Sequence, residues 1–259
     1  MTVGKIFAAG RPALIGYLPA GFPTVEGGIE AITAVVDAGV DAVEVGFPYS
    51  DPVIDGPVIQ RATEAALAAG VRPADVLRTV ERVAALGVPA VVMTYWNPME
   101  RYGVARFARD LAAAGGAGLI TPDLIPDEAG EWIAASDEHG LDRIFLVSPS
   151  STEARVRSTT AACRGFVYAT ALMGVTGARD QVSSSAGEMV RRIRPHTALP
   201  IALGFGVSRP EHVAEIGVYA DAAVVGSALV SVIAKESATT ELIPRVEEYV
   251  RWLKSYAHA

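Results

Sequence analysis

Short apolar runs recur along the chain between Ala-rich stretches whose apolar positions repeat at three- and four-residue steps, and no linker-like break interrupts the alternation. Apolar runs of about four to eight residues bounded by turn formers predict buried strands, and the longer periodic stretches predict amphipathic helices. Strands are predicted near Ala13 to Leu18, Asp41 to Gly46, Ala90 to Tyr95, Gly118 to Thr121, Arg143 to Ser148, Gly165 to Thr170, Pro200 to Gly204 and Asp221 to Gly226. Helices are predicted over Val25 to Ala38, Val104 to Ala114, Asp127 to Glu138, Thr152 to Ala161, Glu188 to Arg194, Glu211 to Ile216 and Thr239 to Tyr256. The second crossover is longer than one helix, with Pro57 to Ala69 and Pro73 to Leu86 separated by Gly70. Strand and helix in strict alternation mean βα units. Eight strands is the count of a closed parallel (β/α)8 TIM barrel, here with extra helices. With 51% of 259 residues hydrophobic, one large core is affordable, and a single domain over residues 1–259 is expected.

One position breaks the apolar pattern. Asp41-Ala42-Val43-Glu44-Val45-Gly46 echoes Asp221-Ala222-Ala223-Val224-Val225-Gly226, so Glu44 stands where the strand template accepts Val224. Period-two alternation puts Ala42, Glu44 and Gly46 on one face and Val43 and Val45 on the other. With the valine face toward the helices, Glu44 points into the barrel near the C-terminal end of its strand, where barrel enzymes carry catalytic groups. A buried charge must be paired, shifted in pKa or functional. The structural alternative is an ion pair with Arg or Lys from a neighbouring strand. Asp55, on the loop that follows, adds a second carboxylate at the same strand end, and two carboxylates together suggest acid–base work.

The far side of the ring carries a different chemistry. Gly204-Phe205-Gly206 follows the seventh strand and Gly226-Ser227 the eighth, the two places where this fold commonly binds phosphate. Glycines let backbone N–H groups approach an anion, a short helix starting at Gly226-Ser227 would aim its positive end at it, and Ser227 adds a hydroxyl. Read structurally, both are tight turns and nothing more. Between strands six and seven, Ala171 to Ser185 is a long polar connection, with Gly174 and Gly177 as hinge candidates and Thr176 able to reach a substrate or carboxylate. A loop of that length is a lid or simply flexible.

Composition removes several function classes. A net charge of -7 without a basic run argues against a nucleic-acid surface. Cys163 is the only cysteine, so neither an internal disulfide nor a thiolate cluster is available, and it reads as a packing residue. The N-terminal stretch lacks an apolar run long enough for export or a membrane span, so a cytoplasmic location is expected. His139, His196, His212 and His258 lack metal-ligand spacing and read as surface residues, with no metal expected. Trp132 and Trp252 sit on helical patterns and read as packing residues.

The motifs taken together strongly resemble the tryptophan synthase alpha subunit family over nearly the whole chain. The resemblance rests on Gly16-Tyr17-Leu18-Pro19-Ala20-Gly21-Phe22-Pro23, Glu44 to Gln60 with Ser50-Asp51-Pro52 and Asp55-Gly56-Pro57, and Met93-Thr94-Tyr95-Trp96-Asn97-Pro98. Pro122-Asp123-Leu124, Gly174-Val175-Thr176-Gly177 and the two glycine loops complete it. It implies a lyase that cleaves indole-3-glycerol phosphate to indole and glyceraldehyde 3-phosphate. Glu44 would be the acid–base group and Asp55 the acceptor of the indole N–H. Tyr168 would line the indole pocket with Phe22 as an apolar wall, and Gly177, Gly204, Phe205, Gly206, Gly226 and Ser227 would bind phosphate. No cofactor is implied in this chain. The implied partner is the beta subunit, which carries pyridoxal phosphate, in a two-alpha two-beta heterotetramer, with Asp51, Pro52, Asn97 and Asp123 on the facing surface. Ile125 and Ala171-Leu172-Met173 depart from the pattern of relatives, near the partner or the lid. Two other readings stay open: a non-catalytic subunit that activates a beta partner, and another phosphate-binding barrel such as indole-glycerol-phosphate synthase. The latter chemistry commonly uses Lys, yet only Lys5, Lys235 and Lys254 are present, none on a predicted strand end.

Overall fold

The computed structural model describes residues 2–170, 179–204, 206–237 and 239–258, of which 179–185, 257 and 258 are described by backbone alone. Eight parallel strands close into a barrel in sequence order: β1 (Ala13–Pro19), β2 (Ala42–Gly46), β3 (Ala90–Met93), β4 (Gly118–Thr121), β5 (Asp142–Val147), β6 (Val167–Ala169), β7 (Ile201–Leu203) and β8 (Ala222–Val225). The helices are α1 (Val25–Asp37), α2 (Pro57–Ala68), α3 (Pro73–Ala85), α4 (Trp96–Tyr102), α5 (Val104–Ala113), α6 (Gly130–His139), α7 (Glu153–Ala162), α8 (Arg179–Ile193), α9 (Pro210–Gly217), α10 (Ser227–Glu236) and α11 (Leu242–Leu253). Every expected strand is present, and the long second crossover holds the two expected helices.

Three differences have physical causes. Strand β3 ends at Met93, not Tyr95, because Tyr95 is the N-cap of α4, a helix of seven residues too short to show an apolar period. The segment read as a loop to Ser185 is already helical from Arg179, continuous with the turns of α8 that bury Ala186, Met189, Val190 and Ile193; Ala171 to Ala178 lie outside the described residues. A 3-10 helix over Val3–Ala9, absent from the sequence reading, precedes β1.

Register explains what faces inward. Residues paired across parallel strands share a face. Tyr17 pairs with Glu44, Glu44 with Val91, Ile120 with Ile144, Leu146 with Tyr168, and Tyr168 with Ala202. The alternate residues, such as Val43 and Val45, are fully buried on the helix side. At the N-terminal end of the barrel, inward Asp142 accepts the Val3 N–H at 2.8 Å. That bond seats the 3-10 helix under the barrel floor. Trp132 is buried as expected, whereas Trp252 is 45% exposed beside Tyr249. His196 is also not a free surface residue: it is half-buried and pairs with Glu153. Cys163 is buried at the end of α7, where burial pushes its thiol pKa up to about 12.

Candidate active site

Glu44 points inward from the middle of β2 and is 1% exposed. Its Oε2 has no hydrogen-bond partner among the described residues. Burial is the first cause that pushes its pKa up, to about 8, and the charge of Asp55 is the second; among the described residues no cation opposes them. The ion-paired alternative is therefore not realised. A carboxyl held in this state is protonated near neutral pH and close to the point of giving its proton up, the condition general acid–base work requires.

Asp55 lies on the loop between β2 and α2 and is half-buried. Burial raises its pKa, and a 3.2 Å hydrogen bond donated by the Tyr95 hydroxyl opposes that rise. From the other side, Gln60 Nε2 donates to the Asp55 carbonyl at 2.7 Å. Both carboxylates line one cavity of about 990 Å³ at the C-terminal end of the barrel. Tyr17 and Tyr168 form its deep walls, with hydroxyl pKa values held well above the usual range by burial first and by the two carboxylates after it.

The same cavity reaches the glycine loops: Gly204, Gly206, Gly226 and Ser227 all line it. Gly206 has φ +71°, a left-handed conformation that suits glycine, and α10 begins at Ser227 with Gly226 as its N-cap. Gly204 has a further reason to be glycine. A Cβ there would lie 2.0 Å from the Tyr168 hydroxyl oxygen, and one at Gly46 would lie 2.5 Å from that of Tyr17. Thr176, Gly177 and Phe205 lie outside the described residues.

Phe22 is not part of the cavity lining; it is buried in the connection between β1 and α1, and Tyr17 on β1 takes a wall position. Tyr17, Met93, Leu124, Leu146 and Arg155 line the cavity without having been expected as site residues, although the first three fall within the motifs quoted above. Tyr17 and Met93 carried a signal, since each shares its strand's inward face once the barrel register is known. Asp51 and Asn97 are exposed and Pro52 is half-buried. Asp123 is also exposed and accepts the Trp96 N–H with both oxygens, at 2.9 and 3.1 Å, tying the β3–α4 turn to the loop after β4. All four thus sit at the C-terminal ends of three neighbouring strands.

Fold and site define a class: a closed parallel (β/α)8 barrel with two carboxyls gathered in one cavity at the C-terminal ends of its strands, where barrel enzymes carry their catalytic groups. Comparison with known proteins narrows that class. The model of the tryptophan synthase alpha chain family matches residues 4–258, and this chain belongs to that family. It is 64% identical to the tryptophan synthase alpha chain of Salinispora arenicola over 226 residues, 87% of this chain and 85% of the relative. Identity to the Mycobacterium avium alpha chain is 58% over 99% of this chain and 96% of that one. Among solved structures, tryptophan synthase of Mycobacterium tuberculosis superposes with a TM-score of 0.90 at 53% identity, covering 99% of this chain and 98% of that chain. The alpha-beta (a2b2) complex of Pyrococcus furiosus gives 0.86 at 31% identity over 95% and 99%.

Proposed function

We propose that this chain, as one barrel domain, is the alpha subunit that cleaves indole-3-glycerol phosphate into indole and glyceraldehyde 3-phosphate. The observation that carries the reading is the buried Glu44 carboxyl, whose Oε2 has no hydrogen-bond partner among the described residues, in the same cavity as Asp55. Glu44 gives its proton to C3 of the indole ring. Asp55 accepts the N1–H and stabilises the positive charge that forms there. The hydroxyl on the side-chain carbon next to the ring then loses its proton to the Glu44 carboxylate, and the carbon–carbon bond breaks. Its electron pair returns to the ring as indole leaves, and the side chain departs as the aldehyde. The proton count closes on Glu44. Tyr17 and Tyr168 flank the ring, and the phosphate lies against the Gly206 and Gly226-Ser227 backbone, at the start of α10.

The partner is a beta subunit carrying pyridoxal phosphate, joined in a two-alpha two-beta assembly in the cytoplasm. Solved relatives that are tryptophan synthase complexes support this, as do Asp51, Pro52, Asn97 and Asp123 around the cavity mouth. Among the described residues no helix is long and apolar enough to cross a membrane.

The test is indole release from indole-3-glycerol phosphate by purified protein, with and without beta subunit. Glu44→Gln should lose ~10²–10⁴-fold in kcat, and Asp55→Asn should lose rate while keeping glycerol-phosphate affinity. No indole under either condition would overturn the reading. So would a Glu44→Gln variant with wild-type turnover.

A further inference from the structure

The hydroxyl of Tyr95 occupies an unusual place. It accepts two consecutive backbone N–H groups, from Val53 and Ile54, each at 3.0 Å. It also lies 3.2 Å from Asp55 Oδ2, the next residue along. A phenol has one proton to give. With two N–H groups already directed at its oxygen, that proton has one destination among the described residues, Asp55. The ring is 5% exposed and packs against Tyr49 at 5.5 Å between centroids, so the hydroxyl is held in place.

We propose that Tyr95 is the positioning residue for Asp55: as an obligate donor it commits Oδ2 to the acceptor role and leaves Oδ1 for the substrate N–H. The proposal rests on the role of Asp55 given above and extends it. Acting through Asp55, Tyr95 governs both its aim and its charge state. A hydrogen bond donated to a carboxylate favours the ionised form. The groups that bear on Asp55 from the packed elements are Glu44 on β2, Tyr17 on β1, Tyr95 after β3 and Tyr168 on β6. Tyr95 is the one whose hydrogen bond opposes the desolvation of Asp55.

The experiment is the pH profile of kcat for indole release by the alpha–beta complex. Tyr95→Phe keeps the ring and removes the donor. It should lower kcat roughly tenfold or more, leave KM within about threefold, and move the acid limb to higher pH, because Asp55 without its donor holds its proton longer. Incorporation of 3-fluorotyrosine at Tyr95, which preserves shape and strengthens the donor, should move the limb the opposite way; it keeps the proposal testable if Tyr95→Phe folds poorly. An unmoved acid limb in both variants would overturn the proposal. Asp55→Asn separates this from the underlying reading. If Asp55→Asn is impaired while both Tyr95 variants behave as wild type, the Tyr95 proposal alone fails. If Asp55→Asn turns over normally, the role of Asp55 fails and the Tyr95 proposal with it.

Discussion

Glu44 shows how one residue ties stability to pH. Its pKa rises from 4.5 to about 8 on folding, so the folded state binds this proton more tightly than the unfolded chain does. Its contribution to stability is therefore fully present below pH 4.5 and is lost as pH rises through about 8. Each pKa unit corresponds to about 1.4 kcal/mol. Glu44→Gln keeps the shape and cannot ionise, so it escapes this loss. The stability of Glu44→Gln relative to wild type should grow between roughly pH 5 and pH 9, as read by chemical denaturation at each pH. A difference that stays constant across that range would show that the carboxyl is not desolvated as described. The two tyrosines beside it make the same point about space. Gly46 and Gly204 leave room for hydroxyl oxygens that a Cβ would displace, so these glycines belong to the pocket as much as to the turns.

Among the elements, the strands were the most legible. Except for β5, whose helix side carries half-buried Arg143, each is a short run fully buried on the helix side, which is what a parallel sheet covered by helices demands. Glu44 was legible for the same reason, as the exception inside such a run. The wall beside it was not: Tyr17 lies on β1 and Phe22 three residues past its end, and only closure of the ring, which pairs Tyr17 with Glu44, shows that Tyr17 faces inward. Helix α4 hid behind an apparent strand extension, and the 3-10 helix at Val3–Ala9 has no period to read. That N-terminal element is held by a contact between residues far apart in sequence, the Val3 N–H on Asp142 Oδ2. Asp142→Ala should orphan a buried N–H and cost ~1–3 kcal/mol of stability, with Asp142→Asn, which keeps an acceptor, costing less. Because Asp142 is at the N-terminal end of the barrel, away from the cavity, kcat of the folded variant should stay at the wild-type value. Thermal unfolding alongside indole release checks both halves, and a fall in kcat at full folding would contradict this separation of ends.

At the scale of the whole molecule, the two ends of the barrel differ in exposed apolar surface. Val53, Ile54 and Ile125 are 79%, 39% and 37% exposed and all border the cavity mouth. Of the other exposed large apolar residues among the described ones, Val218, 84% exposed, precedes β8 and Trp252, 45% exposed, lies late in α11; neither borders the cavity, and exposed apolar residues taken singly are ordinary. In the proposed complex such a cluster around the mouth of a site that releases apolar indole would have a reason beyond chance: a partner seated there would cover the apolar rim and receive the product without passing it through water. Docking at this end also bears on chemistry, because the backbone of Val53 and Ile54 is bonded to the hydroxyl that holds Asp55. Val53→Asp places a charge in that contact and should weaken association with the beta subunit by about tenfold or more, ~1.4 kcal/mol, in titration calorimetry. Val218→Asp, the same change at the other end, should leave the Kd unaltered. Equal losses for the two variants would mean that the charge itself weakens association, and a loss confined to Val218→Asp would place the partner at the N-terminal end of the barrel, detached from the site.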